Sequence, residues 1–252
     1  MLLALDLGNG SLCVGIFDGR QLRGSFRVAV ADLGELRGRL EAGLGDIGPD
    51  AIDRIGLASV NPPWVYVVQE ALLGMFAGRE PVVIGRDVQV PVPAAVDRPG
   101  EVGTDRLLNA LAAFDRLHEA CLVADFGSAL TVDVISEKGE YLGGVIAPGI
   151  GMSAAALHAH TALLPHVTPT TAEHVMGRNT IECIRSGLFW SAIGFVEGVV
   201  ARLRKEYPPA KRVLATGGDA ELIAPHCKAI DEVVPELTLE GIRLTLEREG
   251  RA

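Results

Sequence analysis

The sequence predicts an α/β protein built from two copies of one strand–turn–strand unit, and three observations carry that prediction. First, two short apolar runs end in the same kind of turn. Leu2 to Leu5 runs into Asp6-Leu7-Gly8-Asn9-Gly10-Ser11, and Cys121 to Ala124 runs into Asp125-Phe126-Gly127-Ser128. Second, each turn is followed by another strand-like run and a hairpin signal: Leu12 to Phe17 before Asp18-Gly19, and Leu130 to Ile135 before Lys138-Gly139. Third, amphipathic helical patterns fill the intervals between and after the two units.

Taken in order, the first unit continues from Asp18-Gly19 into a strand-like stretch that reaches Val30. A helical pattern from Asp32 to Leu44, a strand from Arg54 to Val60 and a helical pattern from Trp64 to Phe76 follow. Asp105 to Arg116 has apolar residues at i, i+3 and i+4 and reads as a further helix. The second unit continues after Lys138-Gly139 with a strand from Tyr141 to Ile146, then helices from Met152 to Leu163 and from Thr180 to Glu206. A buried-strand run, Val213 to Thr216, stops at Gly217-Gly218, and Thr238 to Arg248 closes the chain as a helix. The expected division is residues 1–115 and 116–252.

Composition narrows the function classes. The chain has 252 residues, a formal charge of −9 and a pI near 5.2. This argues against general nucleic-acid binding, which draws on a basic face to displace counterions. No uninterrupted apolar run approaches the ~20 residues of a membrane span. The start, Met1-Leu2-Leu3-Ala4-Leu5-Asp6, lacks a basic leader region and reads as the first strand of a cytoplasmic protein with no membrane association. Cys13, Cys121, Cys183 and Cys227 lie far apart with no C-x-x-C spacing, so buried free thiols are expected.

The turns carry chemistry. Glycines at a strand end let backbone N–H groups approach a phosphate, and a carboxylate beside such a nest makes sense when a cation, usually Mg2+, bridges the two. A single D-x-G is more often a simple Asx-type turn; two copies, each with its hairpin, favour phosphate handling. Other signals stay ambiguous at this level. Asp105-Arg106 fits a helix-start acid beside a solvated cation as well as a site, and Asn179-Thr180 fits an N-cap as well as a ligand contact. His158 and His160 sit two apart, which on a helix puts them on different faces and argues against a shared metal.

Six motifs in order give a resemblance: Asp6-Leu7-Gly8-Asn9, Gly103-Thr104-Asp105-Arg106, Asp125-Phe126-Gly127-Ser128-Ala129, Gly143-Gly144-Val145-Ile146-Ala147-Pro148-Gly149, Gly177-Arg178-Asn179-Thr180 and Thr216-Gly217-Gly218. Together they span nearly the whole chain, which resembles type III pantothenate kinase. The resemblance implies duplicated ribonuclease H-like domains of the actin/hexokinase/Hsp70 kind facing each other across a cleft. The implied activity is ATP-dependent phosphorylation of pantothenate to 4′-phosphopantothenate, the entry step to coenzyme A.

The resemblance also implies residue roles. Asp6, Leu7, Gly8, Asn9, Gly10, Ser11, Leu12 and Cys13 would hold the ATP phosphates, with Asp6 facing Mg2+ through water. Asp105 would be the general base toward the pantothenate hydroxyl. Gly103, Thr104 and Arg106 would line the substrate site, and Thr180 would contact pantothenate. Asp125 would bind a monovalent cation (K+ or NH4+), Ser128 would touch ATP, and Gly217 and Gly218 would lie near the adenosine. A homodimer is implied as well, with Leu188, Phe189, Trp190, Ile193, Phe195 and Val199 as the apolar helix to be covered. Two other functions fit the same cleft: a related kinase for another hydroxyl substrate, and a catalytically weak nucleotide-binding regulator.

The sequence departs from the family pattern in three places. Gly10 stands where a Thr is usual, with Ser11 after it. Leu130 replaces a Thr in Asp125-Phe126-Gly127-Ser128-Ala129-Leu130-Thr131-Val132-Asp133. Val96 lies near the place of an aromatic residue. Each lost neutral hydrogen bond costs on the order of 1 kcal/mol, so the departures bear on affinity rather than on folding.

Overall fold

A computed structural model describes residues 1–250. Along the chain the strands β1 (Leu2–Leu7), β2 (Ser11–Asp18) and β3 (Gln21–Ala29) lead through a 3-10 turn, Val30–Glu35, to α1 (Leu36–Leu44). Next come β4 (Arg54–Ser59), α2 (Pro62–Met75), β5 (Val82–Val83) and α3 (Thr104–Leu117). The remainder is β6 (Cys121–Phe126), β7 (Ala129–Ile135), β8 (Tyr141–Pro148), α4 (Ile150–Ala159), α5 (Thr180–Glu206), β9 (Arg212–Thr216), α6 (Ala220–Ile223), β10 (Glu232–Val233) and α7 (Leu237–Glu249).

The elements form two five-stranded sheets of matching order, β3-β2-β1-β4-β5 and β8-β7-β6-β9-β10. In each, the first three strands in sequence are an antiparallel meander and the last two join parallel to the first. The contacts divide the chain into two units. One comprises residues 1–92, 98–112 and 236–252; the other comprises 93–97 and 113–235.

In the first unit the strand alternation sorts side chains by face. Leu3, Leu5 and Leu7 of β1, with Leu12, Val14 and Ile16 of β2, point into a core closed by Leu36 and Leu40 of α1 and Val68 and Leu72 of α2. The opposite face takes α7, which packs on β1, β2 and β4. Glycines permit this approach. A Cβ at Gly15 would lie 2.9 Å from Leu239, and one at Gly56 would lie 2.8 Å from Ile242. The C-terminal helix therefore belongs to the first unit, whereas the linear division at 115/116 places it in the second. The reason is the apolar face of α7, with Leu237, Leu239, Ile242 and Leu246 all buried. The helical pattern expected from Asp32 begins as the 3-10 turn and becomes α-helical only after Gly34 and Glu35.

The second unit repeats the alternation. Leu122, Ala124 and Phe126 of β6 and Leu130, Val132 and Val134 of β7 face a core shared with Phe189, Ile193, Val196 and Val200 of α5. By length and mean hydropathy alone α5 would pass as a membrane span, yet these residues spend it on the core. On the other sheet face Asp133 is 1% exposed and accepts hydrogen bonds from the hydroxyls of Thr131 (3.2 Å) and Tyr141 (3.0 Å). Gly144 leaves it room, since a Cβ there would lie 2.5 Å from Asp133 Oδ1. The thiols differ from the uniform burial expected: Cys121 and Cys227 are buried, Cys13 is half-buried and Cys183 is exposed.

Candidate active site

In the first unit the parallel strands β1, β4 and β5 end on one edge of the sheet, the edge at which open α/β sheets present their loops to ligands. Asp6 lies there, one residue from the end of β1. The last β1–β2 pair, Leu7↔Leu12, leaves Gly8, Asn9, Gly10 and Ser11 as the turn. Gly8 N–H donates to the Ser11 carbonyl (3.0 Å) and Val30 N–H to the Gly10 carbonyl (3.1 Å), while Asn9 and Gly10 are exposed. Asn61, just beyond β4, ties the neighbouring loop to this turn by donating from Nδ2 to the Gly8 carbonyl (3.4 Å).

Gly103 to Arg106 are placed on the same edge by the loop that follows β5. Gly85, with φ of +91°, lies so close to Thr104 that a Cβ would be 2.9 Å from its hydroxyl oxygen. Thr104 opens α3, so Asp105 sits in the first helical turn. Its Oδ1 accepts the Arg106 N–H at 2.8 Å. A Cβ at Gly103 would lie 2.5 Å from the same Oδ1, so glycine is what lets the carboxylate fold back over the turn. Burial pushes the Asp105 carboxyl above its ordinary value, opposed by the Arg106 N–H and the Arg106 charge. The geometry is that of an acid in the first turn of a helix, folded back onto its own backbone.

In the second unit Asp125, near the end of β6, shares an edge with the loop after β9. The last β6–β7 pair, Phe126↔Leu130, leaves only Gly127, Ser128 and Ala129. This turn is one residue shorter than the first. The two turns therefore differ in length, and Gly10 and Ser11 belong to the longer one. Gly127 N–H donates to the Ala129 carbonyl (3.1 Å), and Gly149 N–H to the Ser128 carbonyl (3.0 Å). Gly217, with φ of +95°, presses on the pair: a Cβ there would meet Asp125 Oδ1 and come within 2.6 Å of the Phe126 backbone. Asp219 N–H then donates to the Phe126 carbonyl (3.0 Å). The fold thus brings Asp125, Ser128, Gly217 and the exposed Gly218 together at one edge.

Thr180 lies elsewhere in the second unit, at the exposed start of α5. Asn179 caps that helix by accepting Glu182 N–H (3.0 Å), and Glu182 answers by accepting Arg178 N–H (2.8 Å). Thr180 lines a groove of about 1110 Å³ between α4 and α5, whose walls include Pro148, Met152, Leu157, Ile184 and Leu188. Pro148 precedes the glycine that holds the Ser128 carbonyl. His158 donates from Nδ1 to the Leu164 carbonyl (2.9 Å) and stacks edge-on against His166. Of the apolar residues on α5 expected to await a partner, Leu188, Phe189 and Ile193 are buried in the unit's own core, and Trp190, Phe195 and Val199 pack against it. Among the described residues of this unit, the exposed large apolar side chains are instead Ile146, Met152, Leu157, Leu163, Val175, Met176 and Ile181.

Asn61, Gly85 and the partnership of Tyr141 with the motif residue Asp133 were not singled out in the sequence. Their only sequence signal is position, after a strand run or inside a hairpin, and their role depends on which loop folds beside them. The donor sets fit the ligands that the resemblance implies. Asp6 and open turn amides suit a cation–phosphate pair, and the glycine cradle around Asp125 leaves its carboxylate a gap that a Cβ would fill.

Known proteins carry the same pattern. A model of the family described as type III pantothenate kinase matches residues 2–202. The type III pantothenate kinase of Moorella thermoacetica is 42% identical over 98% of this chain and 99% of its own, and that of Geobacter sulfurreducens is 38% identical over the same shares. Among solved structures, a conserved putative Baf family transcriptional activator from Campylobacter jejuni superposes with a TM-score of 0.58 at 18% identity, covering 99% of this chain and 100% of that one. That likeness speaks to the fold, which is the duplicated ribonuclease H-like one. With a family model over most of its length and full-length relatives near 40% identity, the chain belongs to the type III pantothenate kinase family.

Proposed function

We propose that the protein transfers the γ-phosphoryl group of ATP to the primary hydroxyl of pantothenate, giving 4′-phosphopantothenate for coenzyme A synthesis in the cytoplasm. The observation that carries this reading is the Asp105 carboxylate. It is half-buried, raised in pKa, and held at the first turn of α3 on the same sheet edge as the Asp6 turn. Its raised pKa makes it a better proton acceptor than a carboxylate in water.

ATP with Mg2+ supplies the phosphoryl group and most of the charge neutralisation. Asp6 would hold Mg2+, through water, and the segment from Leu7 to Cys13 would hold the phosphates, with the exposed Asn9 and Gly10 at the tip of its turn. Asp105 orients the pantothenate hydroxyl and takes its proton as the new bond forms. Arg106 offers a planar donor fork to the pantothenate carboxylate, and Gly103, Thr104 and Thr180 complete the substrate contacts. Asp125 is the ligand for K+ or NH4+. Ser128 faces ATP, and Gly217 and Gly218 face the adenosine.

The dimer belongs to the same reading. A second copy is the occupant that suits the α4–α5 groove, because the exposed Met152 and Leu157 line it together with Thr180. Separate titrations with ATP and with pantothenate, followed by ADP release with both, test the proposal. A kinase of this type binds both ligands and releases ADP only when pantothenate is present; nucleotide binding alone would make it a sensor instead.

A further inference from the structure

The hairpin edge of the first sheet carries a cation that none of these roles uses. Arg27 on β3 pairs with Cys13 on β2, and Cys13 pairs with Asp6 on β1. Paired residues share a face, so Asp6, Cys13 and Arg27 form one row across three strands. Their neighbours Leu5, Leu7, Leu12, Val14 and Val28 point the other way, into the core. Two strand spacings, about 10 Å, separate the ends of the row, and an extended arginine covers more than half of that.

The Arg27 side chain is exposed on this row. Its guanidinium is within hydrogen-bonding range of the Cys13 thiol, which stands between it and the Asp6 carboxylate and senses both charges. Arg27 is exposed and has no carboxylate partner among the described residues. Arg23, four residues earlier on β3, is by contrast neutralised by Asp18 at 2.5 Å. An exposed arginine is ordinarily just a solvated charge. This one is an unneutralised fork, in a chain of net charge −9, aimed along a strand row at the carboxylate that ends β1.

We propose that Arg27 is a phosphate-binding residue of the first turn, reaching from β3 over Cys13 to the polyphosphate that Asp6 and the turn amides face. The inference rests on the reading of that turn as the nucleotide phosphate site. A guanidinium is suited to the task because its planar fork can hold two phosphate oxygens at once.

Equilibrium titrations of the full chain with MgATP and with adenosine test this, using Arg27→Ala, Arg27→Lys, Asp6→Asn and Arg23→Ala. Arg27→Ala should weaken MgATP by about tenfold to a hundredfold, the loss of one hydrogen-bonded charge contact, while adenosine binding and the thermal midpoint stay as in wild type. Arg27→Lys should fall between, and Arg23→Ala should match wild type. The proposal is overturned if Arg27→Ala binds MgATP within about twofold of wild type, or if it loses adenosine equally, which would mark a structural role. Weakened MgATP binding in Asp6→Asn with an unaffected Arg27→Ala removes Arg27 alone. No effect in either variant removes the turn from the phosphate site altogether.

Discussion

Replacing Asp105 by Asn separates catalysis from folding. The amide keeps the size of the carboxylate, and its oxygen can still accept the Arg106 N–H that Oδ1 accepts at 2.8 Å. It also still fits the space that Gly103 leaves, where a Cβ would be 2.5 Å away. What is lost is the ability to take a proton, and loss of a general base costs about 10²–10⁴-fold in kcat. Stability moves differently. Because burial raises the folded pKa of Asp105, the folded state holds its proton more tightly than the unfolded chain does. Its contribution to stability is present at low pH and is lost as pH rises through the folded pKa. The neutral amide avoids the cost of holding a charge in this half-buried position, so it should leave the thermal midpoint unchanged or slightly higher wherever the wild-type carboxyl is ionised. Steady-state ADP release and thermal unfolding read the two effects. A variant that keeps more than about a tenth of wild-type kcat, or one that unfolds at a clearly lower temperature, refutes this account of Asp105.

Four further outcomes follow from the geometry. The acid limb of kcat/KM in the wild type should lie above the usual carboxylate range near 3.9, because Asp105 must be deprotonated to act and burial raises its pKa; a limb at or below that range would exclude it as the base. Arg106→Lys should raise KM for pantothenate while leaving ATP nearly untouched, since an ammonium cannot form a bidentate fork; equal weakening of both ligands would make Arg106 structural. Gly217→Ala should lower the thermal midpoint and the cation response of the activity together, because its φ of +95° is unfavourable for Ala and a Cβ would press on Asp125; the overpacking alone costs about 1–3 kcal/mol, and an unchanged midpoint would contradict the cradle. Light scattering should give twice the 26.6 kDa chain mass, and Met152→Glu on the groove wall should return it to monomer; a wild-type monomer at working concentration would remove the dimer.

Much of the fold is legible in the residues because strands and turns carry local signals. The apolar runs at Leu2–Leu5 and Cys121–Ala124, the Asp18-Gly19 and Lys138-Gly139 hairpins, and the capped start of α5 at Thr180 each announce themselves within a few positions. Strands β5 and β10 do not, since two residues are too few to show a period. The return of α7 to the first sheet is invisible for another reason: Gly15 and Gly56 look like ordinary strand glycines until Leu239 and Ile242 are seen to occupy their missing side chains. Of the site, the acids Asp6, Asp105 and Asp125 stand out by motif. The unequal length of the two turns emerges only from strand register, which pairs Leu7 with Leu12 but Phe126 with Leu130. Asn61 and Arg27 are equally silent, because a contact across strands or between loops leaves no spacing in the chain.

The most direct test of the central claim is the product itself. Wild-type protein incubated with MgATP, a potassium salt and pantothenate should convert pantothenate to a monophosphate ester on its primary hydroxyl, seen by phosphorus NMR and mass spectrometry, in equal amount to the ADP released. Asp105→Asn at the same concentration should form at most about a hundredth as much in the same time, as the loss of a general base requires. ADP released without phosphopantothenate, or full product from Asp105→Asn, would contradict the assignment of this chain as a pantothenate kinase acting through Asp105.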